Sequence, residues 1–130
     1  MVLAIRTDKP AAELYLLSAG GKQAAKDIWP AGNQLSKQIL SHIKQLLNEK
    51  NQSLAGLDGI IVFAGPGSFT GLRIGISVAN GLAYGLSIPI VGTKGNQWIK
   101  NGLREFPKAK TDRFVIPEYG ARPNISRPKK

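Results

Sequence analysis

The spacing of apolar residues changes period along this chain, and each change marks an element. Val2–Ile5 is a short apolar run, and Lys9-Pro10 marks a turn. Ala12–Ser18, AELYLLS, reads as a strand, and Gly20-Gly21 is a hairpin signal. Lys22–Trp29 pairs as a third strand in this pattern, weakened by its alanines. From Asn33 to Glu49 the period becomes helical: Leu35, Ile39, Leu40, Ile43, Leu46 and Leu47 recur three and four residues apart. Asn33 is placed to cap that helix, and His42 sits at the rim of its apolar stripe. Leu57–Ala64 is almost continuously apolar, as in a strand covered on both faces. A glycine-rich loop follows, then a helix over about Gly71–Tyr84. Ser87–Gly92 predicts another strand, Thr93–Glu105 a helix weakened by Gly95 and Gly102, and Phe114–Ile116 a last edge strand. The pattern predicts one α/β domain: a mixed sheet that opens with an antiparallel meander and carries flanking helices. Residues 1–106 form this lobe, and residues 107–130 form a basic, proline-containing arm without a core of its own.

Composition narrows the chemistry. The chain of 130 residues has no cysteine, which removes disulfides, thiolate metal sites and cysteine nucleophiles. It has one histidine, His42, so no multi-histidine metal site can form. No apolar run approaches a membrane span and the N-terminus lacks a basic-then-apolar leader, so a cytoplasmic protein is expected. The net charge is +10, and from Arg104 onward eight basic residues face three acidic ones. A balance of that sign draws nucleic acid or an acidic partner. Arg122, Arg127, Lys129 and Lys130 are the residues expected to meet RNA phosphate, against the simpler reading of a solvated tail.

The stretch FAGPGSFTGLRIG, Phe63–Gly75, sits between a strand and a helix, where phosphate sites often lie. A P-loop needs a lysine after its last glycine, and no lysine occurs between Lys50 and Lys94. A dinucleotide fingerprint needs closer glycines and a later acid, and no Asp or Glu occurs between Asp58 and Glu105. Ser68 has no base placed to make it a nucleophile. Two readings stay open. Gly65, Gly67, Ser68 and Thr70 either hold an anion at the helix start or cap and pack that helix.

The helix that follows has an i, i+4 row of small residues, Gly71, Gly75, Ala79 and Ala83. Ile74, Val78 and Leu82 form an apolar row beside it, and Arg73, Ser77, Asn80 and Tyr84 form a narrow polar seam. A helix apolar over so much of its circumference is covered on more than one side. A lobe of this size offers a sheet and one other helix, so a partner is expected to cover the rest.

Ala64–Gly92, AGPGSFTGLRIGISVANGLAYGLSIPIVG, closely resembles the signature region of the TsaB (YeaZ) family. VLAI near the N-terminus, ILSHIKQLL in the first helix and LAGLDGIIV before the loop fit the same pattern in the same order. IPEYGARP, residues 116–123, resembles the Pro-x-Tyr-x-Arg element near the family's C-terminus. The resemblance implies one lobe of the actin-like/Hsp70-like ATPase (ribonuclease H-like) fold. It implies a bacterial, non-catalytic scaffold of the machinery that makes threonylcarbamoyladenosine in tRNA, docking a TsaD-like catalytic subunit that holds the metal. A TsaE-like ATPase is a further partner, tRNA is met indirectly, and any nucleotide lies at the subunit junction with no intrinsic cofactor.

The sequence departs from the family in three places. The family's Ile-Asp-Thr-Ser strand is Ile5-Arg6-Thr7-Asp8 here, and arginine in place of the acid argues against ATP hydrolysis by this chain. The family's His-Ser at the first helix is Leu35-Ser36, so no role for that histidine carries over. Only some 38 residues follow Gly92, as in a shortened, single-lobe form, and the retained C-terminal element favours natural shortening. The expected docking residues are Ile39, Ile43 and Leu46 on the first helix and Arg73, Gly75, Ser77, Ala79, Asn80 and Tyr84 on the second. The sequence leaves open which row meets the partner and which meets the sheet. Alone, such helices are expected to pair with a second copy. The alternatives are a nucleotide-binding enzyme using loop 65–71 and a free-standing basic RNA-binding module.

Overall fold

Alternation of apolar residues in the first thirty positions produces three antiparallel strands, β1 (Val2–Arg6), β2 (Ala11–Leu17) and β3 (Gln23–Pro30). The helix α1 (Leu35–Glu49) then crosses back, and β4 (Gly59–Phe63) joins the free side of β1 in parallel. The helix α2 (Phe69–Leu86), the parallel strand β5 (Ile90–Thr93) and the short helix α3 (Trp98–Glu105) complete the sheet and its layers. The strand order is β3-β2-β1-β4-β5. This computed structural model describes residues 1–18, 20–67, 69–106, 111 and 113–118, and the Phe69 side chain is not among the described groups. Among the described residues no helix is long and apolar enough to cross a membrane.

Register assigns each side chain to a face. Leu3 and Ile5 of β1 sit opposite Leu16 and Leu14 of β2 and beside Ile60 and Val62 of β4. All six are fully buried under α1 and α2. Ile39, Ile43, Leu46 and Leu47 of α1 and Leu72, Ile76, Ala79 and Ala83 of α2 close this layer. The opposite face of β4 is covered by α3. Phe63 meets the Trp98 ring edge-on at 5.9 Å, Gly102 lies directly on Ile61, and Gly59 lies under Phe106. Because α3 is only eight residues long, this face stays half-open over β2 and β3, where Glu13 and Tyr15 stand.

Several boundaries differ from the sequence reading for local reasons. Asn33 does not cap α1. A 3-10 turn, Gly32–Gln34, leads into the helix, the Gln34 amide bonds the Ala31 carbonyl at 2.9 Å, and the Asn33 side chain accepts from Gln34 Nε2 instead. The third helix starts at Trp98 rather than Thr93, because β5 runs through Thr93 and Gly95 turns the chain with φ +82°. Phe114–Ile116 is not a strand. The backbone N–H and C=O of Val115 are both taken by a side chain of α2, described below, so they form no ladder with the edge strand β5.

Candidate interaction face and glycine loop

The loop after β4 lies at the carboxyl ends of the parallel strands, the usual ligand position of an open α/β sheet. Its glycines have packing reasons in the chain's own fold. Gly65 adopts φ +118°, and a side chain there would run into the Glu118 carbonyl. A side chain at Gly67 would run into Asp8. The Asp8 carboxylate is bound by Arg6, Nε to Oδ1 at 2.7 Å and Nη2 to Oδ2 at 3.1 Å. The Arg6 guanidinium also stacks 4.0 Å above the Phe63 ring. The hydrogen bond to Asp8 raises the Arg6 pKa, opposed by burial, so the arginine stays charged. A phosphate brought to Gly67 would therefore meet a carboxylate already paired with the nearest guanidinium. Beside this pair, Tyr15 donates to Glu13 Oε1 at 2.6 Å, and burial, followed by that bond, pushes its pKa up to about 12. Thr70 stands exposed in the first turn of α2, and Ser68 lies outside the described residues.

The expected docking residues separate into three groups. Ile39, Ile43 and Leu46 are 1%, 0% and 2% exposed, and Gly75 and Ala79 are buried as well. These five belong to the chain's own core, because one stripe on a helix cannot face the sheet and a partner together. Gly75 is held by Thr7, whose hydroxyl donates to the Gly71 carbonyl at 2.7 Å. The small-residue row of α2 thus meets the sheet. Arg73 and Ser77 are exposed and, with Ser36, Thr70, Ile74 and Val78, line a cleft of about 410 Å³ between α1 and α2. The outward face of α2 also carries Gly81 and Gly85, where an added Cβ would meet nothing within 4 Å among the described residues. The row Ile74, Val78 and Leu82 is half-buried beside it, and Leu40 of α1 is 41% exposed.

Asn80 and Tyr84 hold the chain's own residues 113–118. Asn80 Nδ2 donates to the Val115 carbonyl and its Oδ1 accepts the Val115 amide, both at 2.9 Å. Tyr84 stacks on Phe114 with centroids 6.2 Å apart. Nothing in the residue pattern announces this pairing, since 35 residues separate the partners and neither segment carries a motif for it. Arg122, Arg127, Lys129 and Lys130, offered as RNA contacts, lie outside the described residues.

His42, placed at the rim from sequence, is half-buried there and has partners from β3: its Nδ1 lies 2.7 Å from Asp27 Oδ2. Only the strand register, which puts Asp27 and Trp29 on the α1 side, could have revealed them.

A family model described as TsaD: tRNA N6-adenosine threonylcarbamoyltransferase matches residues 30–118. The chain is 34% identical over 107 residues to the Escherichia coli tRNA threonylcarbamoyladenosine biosynthesis protein TsaB, covering 78% of this chain and 46% of that one. The TsaB protein of Haemophilus influenzae is also 34% identical, over 90 residues, 69% of this chain and 37% of that one. The solved structure of YeaZ from Pseudomonas aeruginosa superposes with a TM-score of 0.66 at 31% identity, over 72% of this chain and 43% of that one. The chain spans less than half the length of these relatives. The mixed sheet, the flanking helices and the matched stretch through the loop and α2 agree, and the chain belongs to the TsaB/YeaZ family, within the range of the TsaD family model.

Proposed function

We propose that this chain serves tRNA threonylcarbamoyladenosine biosynthesis as a non-catalytic subunit that docks a TsaD-like catalytic protein. The relatives' names carry the pathway. The observation that carries docking is the outward face of α2. Gly81 and Gly85 lie in a helix and on the solvent side, and among the described residues nothing occupies the space of their missing side chains. Glycine in a helix interior costs about 1 kcal/mol relative to alanine. A closely approaching backbone is the physical use for such a surface, and the half-buried Ile74, Val78 and Leu82 give it apolar area. The non-catalytic reading rests on the residues present. Among the described residues no group of three or more His, Asp or Glu could hold a metal, and His42, the chain's one histidine, is bound by Trp29 and Asp27. A nucleotide is then expected at the assembled junction, a TsaE-like ATPase joins as a further partner, tRNA is met indirectly, and the chain alone is expected to pair with a second copy.

The test is co-elution with the TsaD-like protein of the same organism in size-exclusion chromatography. Gly81→Arg and Leu40→Asp leave the core untouched and are expected to abolish or strongly weaken the complex. Unaltered binding by both folded variants would remove the α1–α2 face as the docking surface. Failure of the wild-type chain to bind would remove the scaffold reading itself.

A further inference from the structure

Residues 113–118 cross α2 and the ends of β4 and β5, and each contact reads a different property of the segment. The Asn80 amide takes both polar groups of the Val115 backbone, as a neighbouring strand would. The Val115 side chain fills the notch above Gly92, a position with no room for a Cβ. Tyr84 receives the Phe114 ring. The Glu118 amide donates to the Ala64 carbonyl at 2.8 Å, and the Glu118 carboxylate accepts from Lys94 Nζ at 2.7 Å. The segment is nevertheless lightly held. Phe114 is 61% exposed and Ile116 81%, and among the described residues no strand pairs with the segment. Little apolar area leaves water when it docks, and two half-exposed charges make its ion pair.

We propose that the groove formed by α2 and β5 is a peptide-docking site occupied in cis by residues 113–118. A partner peptide of the same chemistry takes it by displacement: an aromatic residue, a β-branched residue directly after it, and a carboxylate three positions further on. Asn80 reads the backbone, Gly92 selects the β-branched side chain, Tyr84 the aromatic ring and Lys94 the acid. Because the tethered segment competes at an effective concentration of about a millimolar, the free site is masked in the resting chain. The groove adjoins the outer side of α2 at Tyr84, and peptide binding in it requires no partner docked on Gly81 and Gly85.

The probe is a fluorescein-labelled synthetic peptide of residues 111–118, Thr-Asp-Arg-Phe-Val-Ile-Pro-Glu, followed by anisotropy against the full chain. In the Phe114→Ser/Val115→Asp double variant the cis segment is disabled while the groove is intact. That chain is expected to bind the peptide at least tenfold more tightly than wild type does. Lys94→Glu in the same background should weaken binding and restore it for a peptide with lysine at the last position, a readout that loss of folding cannot mimic. Asn80→Ala should abolish it. No binding to the folded double variant, or equal binding to it and to wild type, overturns the proposal. A wild-type dimer that the double variant loses would overturn the partner in favour of a second copy of this chain.

Discussion

The imidazole of His42 lies flat on the indole of Trp29, with ring centroids 3.8 Å apart and planes 7° from parallel. The same imidazole is hydrogen-bonded to Asp27, and the Trp29 indole N–H donates to Gln38 Oε1 at 3.1 Å. Four side chains therefore fasten the edge strand β3 to α1. Stacking contributes about 0.5–1.5 kcal/mol beyond area and a hydrogen bond to a charged group about 1.5–3 kcal/mol. His42→Ala is expected to cost about 2 kcal/mol in urea unfolding, and a double-mutant cycle with Asp27→Ala should show coupling between the two.

Two glycines in one helix should respond to alanine with opposite signs. A Cβ at Gly75 would drive into Thr7 and disturb its bond to the Gly71 carbonyl. Overpacking of this kind costs about 1–3 kcal/mol. A Cβ at Gly81 meets nothing, so Gly81→Ala should stabilise by about 0.5–1 kcal/mol. Paired denaturation midpoints of the two variants check this. Equal signs would mean that the α2 row nearest the sheet is misassigned.

The Arg6–Asp8 pair is largely shielded, with side chains 17% and 7% exposed. Removing one partner leaves a charge with poor access to water, which costs about 3–5 kcal/mol for buried pairs. Arg6→Ala should fall at or below the low end of that range, and it also loses the stack on Phe63. Arg6→Met with Asp8→Ala should recover much of the loss. A single variant as stable as wild type would show that the pair contributes nothing.

Tyr15 gives a pH signature. Its folded pKa is raised to about 12 from an ordinary value near 10, so the folded state holds the phenolic proton more tightly than the unfolded chain. Its contribution is complete below pH 10 and is lost as pH rises through 12. Lysines titrate in the same window, so the comparison is with Tyr15→Phe. The wild-type chain should lose stability more steeply than that variant between pH 10 and 12.

The strands were legible where alternation or an apolar run dominated. β1, β2 and β4 appear within two residues of their expected ends, and the helical stripe of Leu35–Leu47 marked α1. The face of each helix was not legible to the same degree. Ile39 and Ile43 are as compatible with a partner as with a sheet until the register of β1, β2 and β4 places Leu3, Leu14 and Ile60 beneath the helix layer. The glycine loop was ambiguous for a related reason. Gly65 and Gly67 suit an approaching phosphate and an approaching Glu118 or Asp8 equally well, and only the fold brings those residues there. Asn80 and Val115 are a long-range pair with no sequence periodicity to announce them.

The strand order has a consequence for synthesis. β1, β2 and β3 are all made by residue 30, but β1 is the centre of the finished sheet and its second neighbour, β4, begins at Gly59. During translation the meander emerges with one side of β1 unpaired and with Leu3, Ile5, Leu14 and Leu16 uncovered until α1 follows. An unpaired apolar edge is the species most exposed to wrong pairing. The interval between Pro30 and Phe63 is therefore where a ribosome-bound chain would most need a chaperone, and where a pause in elongation would be most harmful.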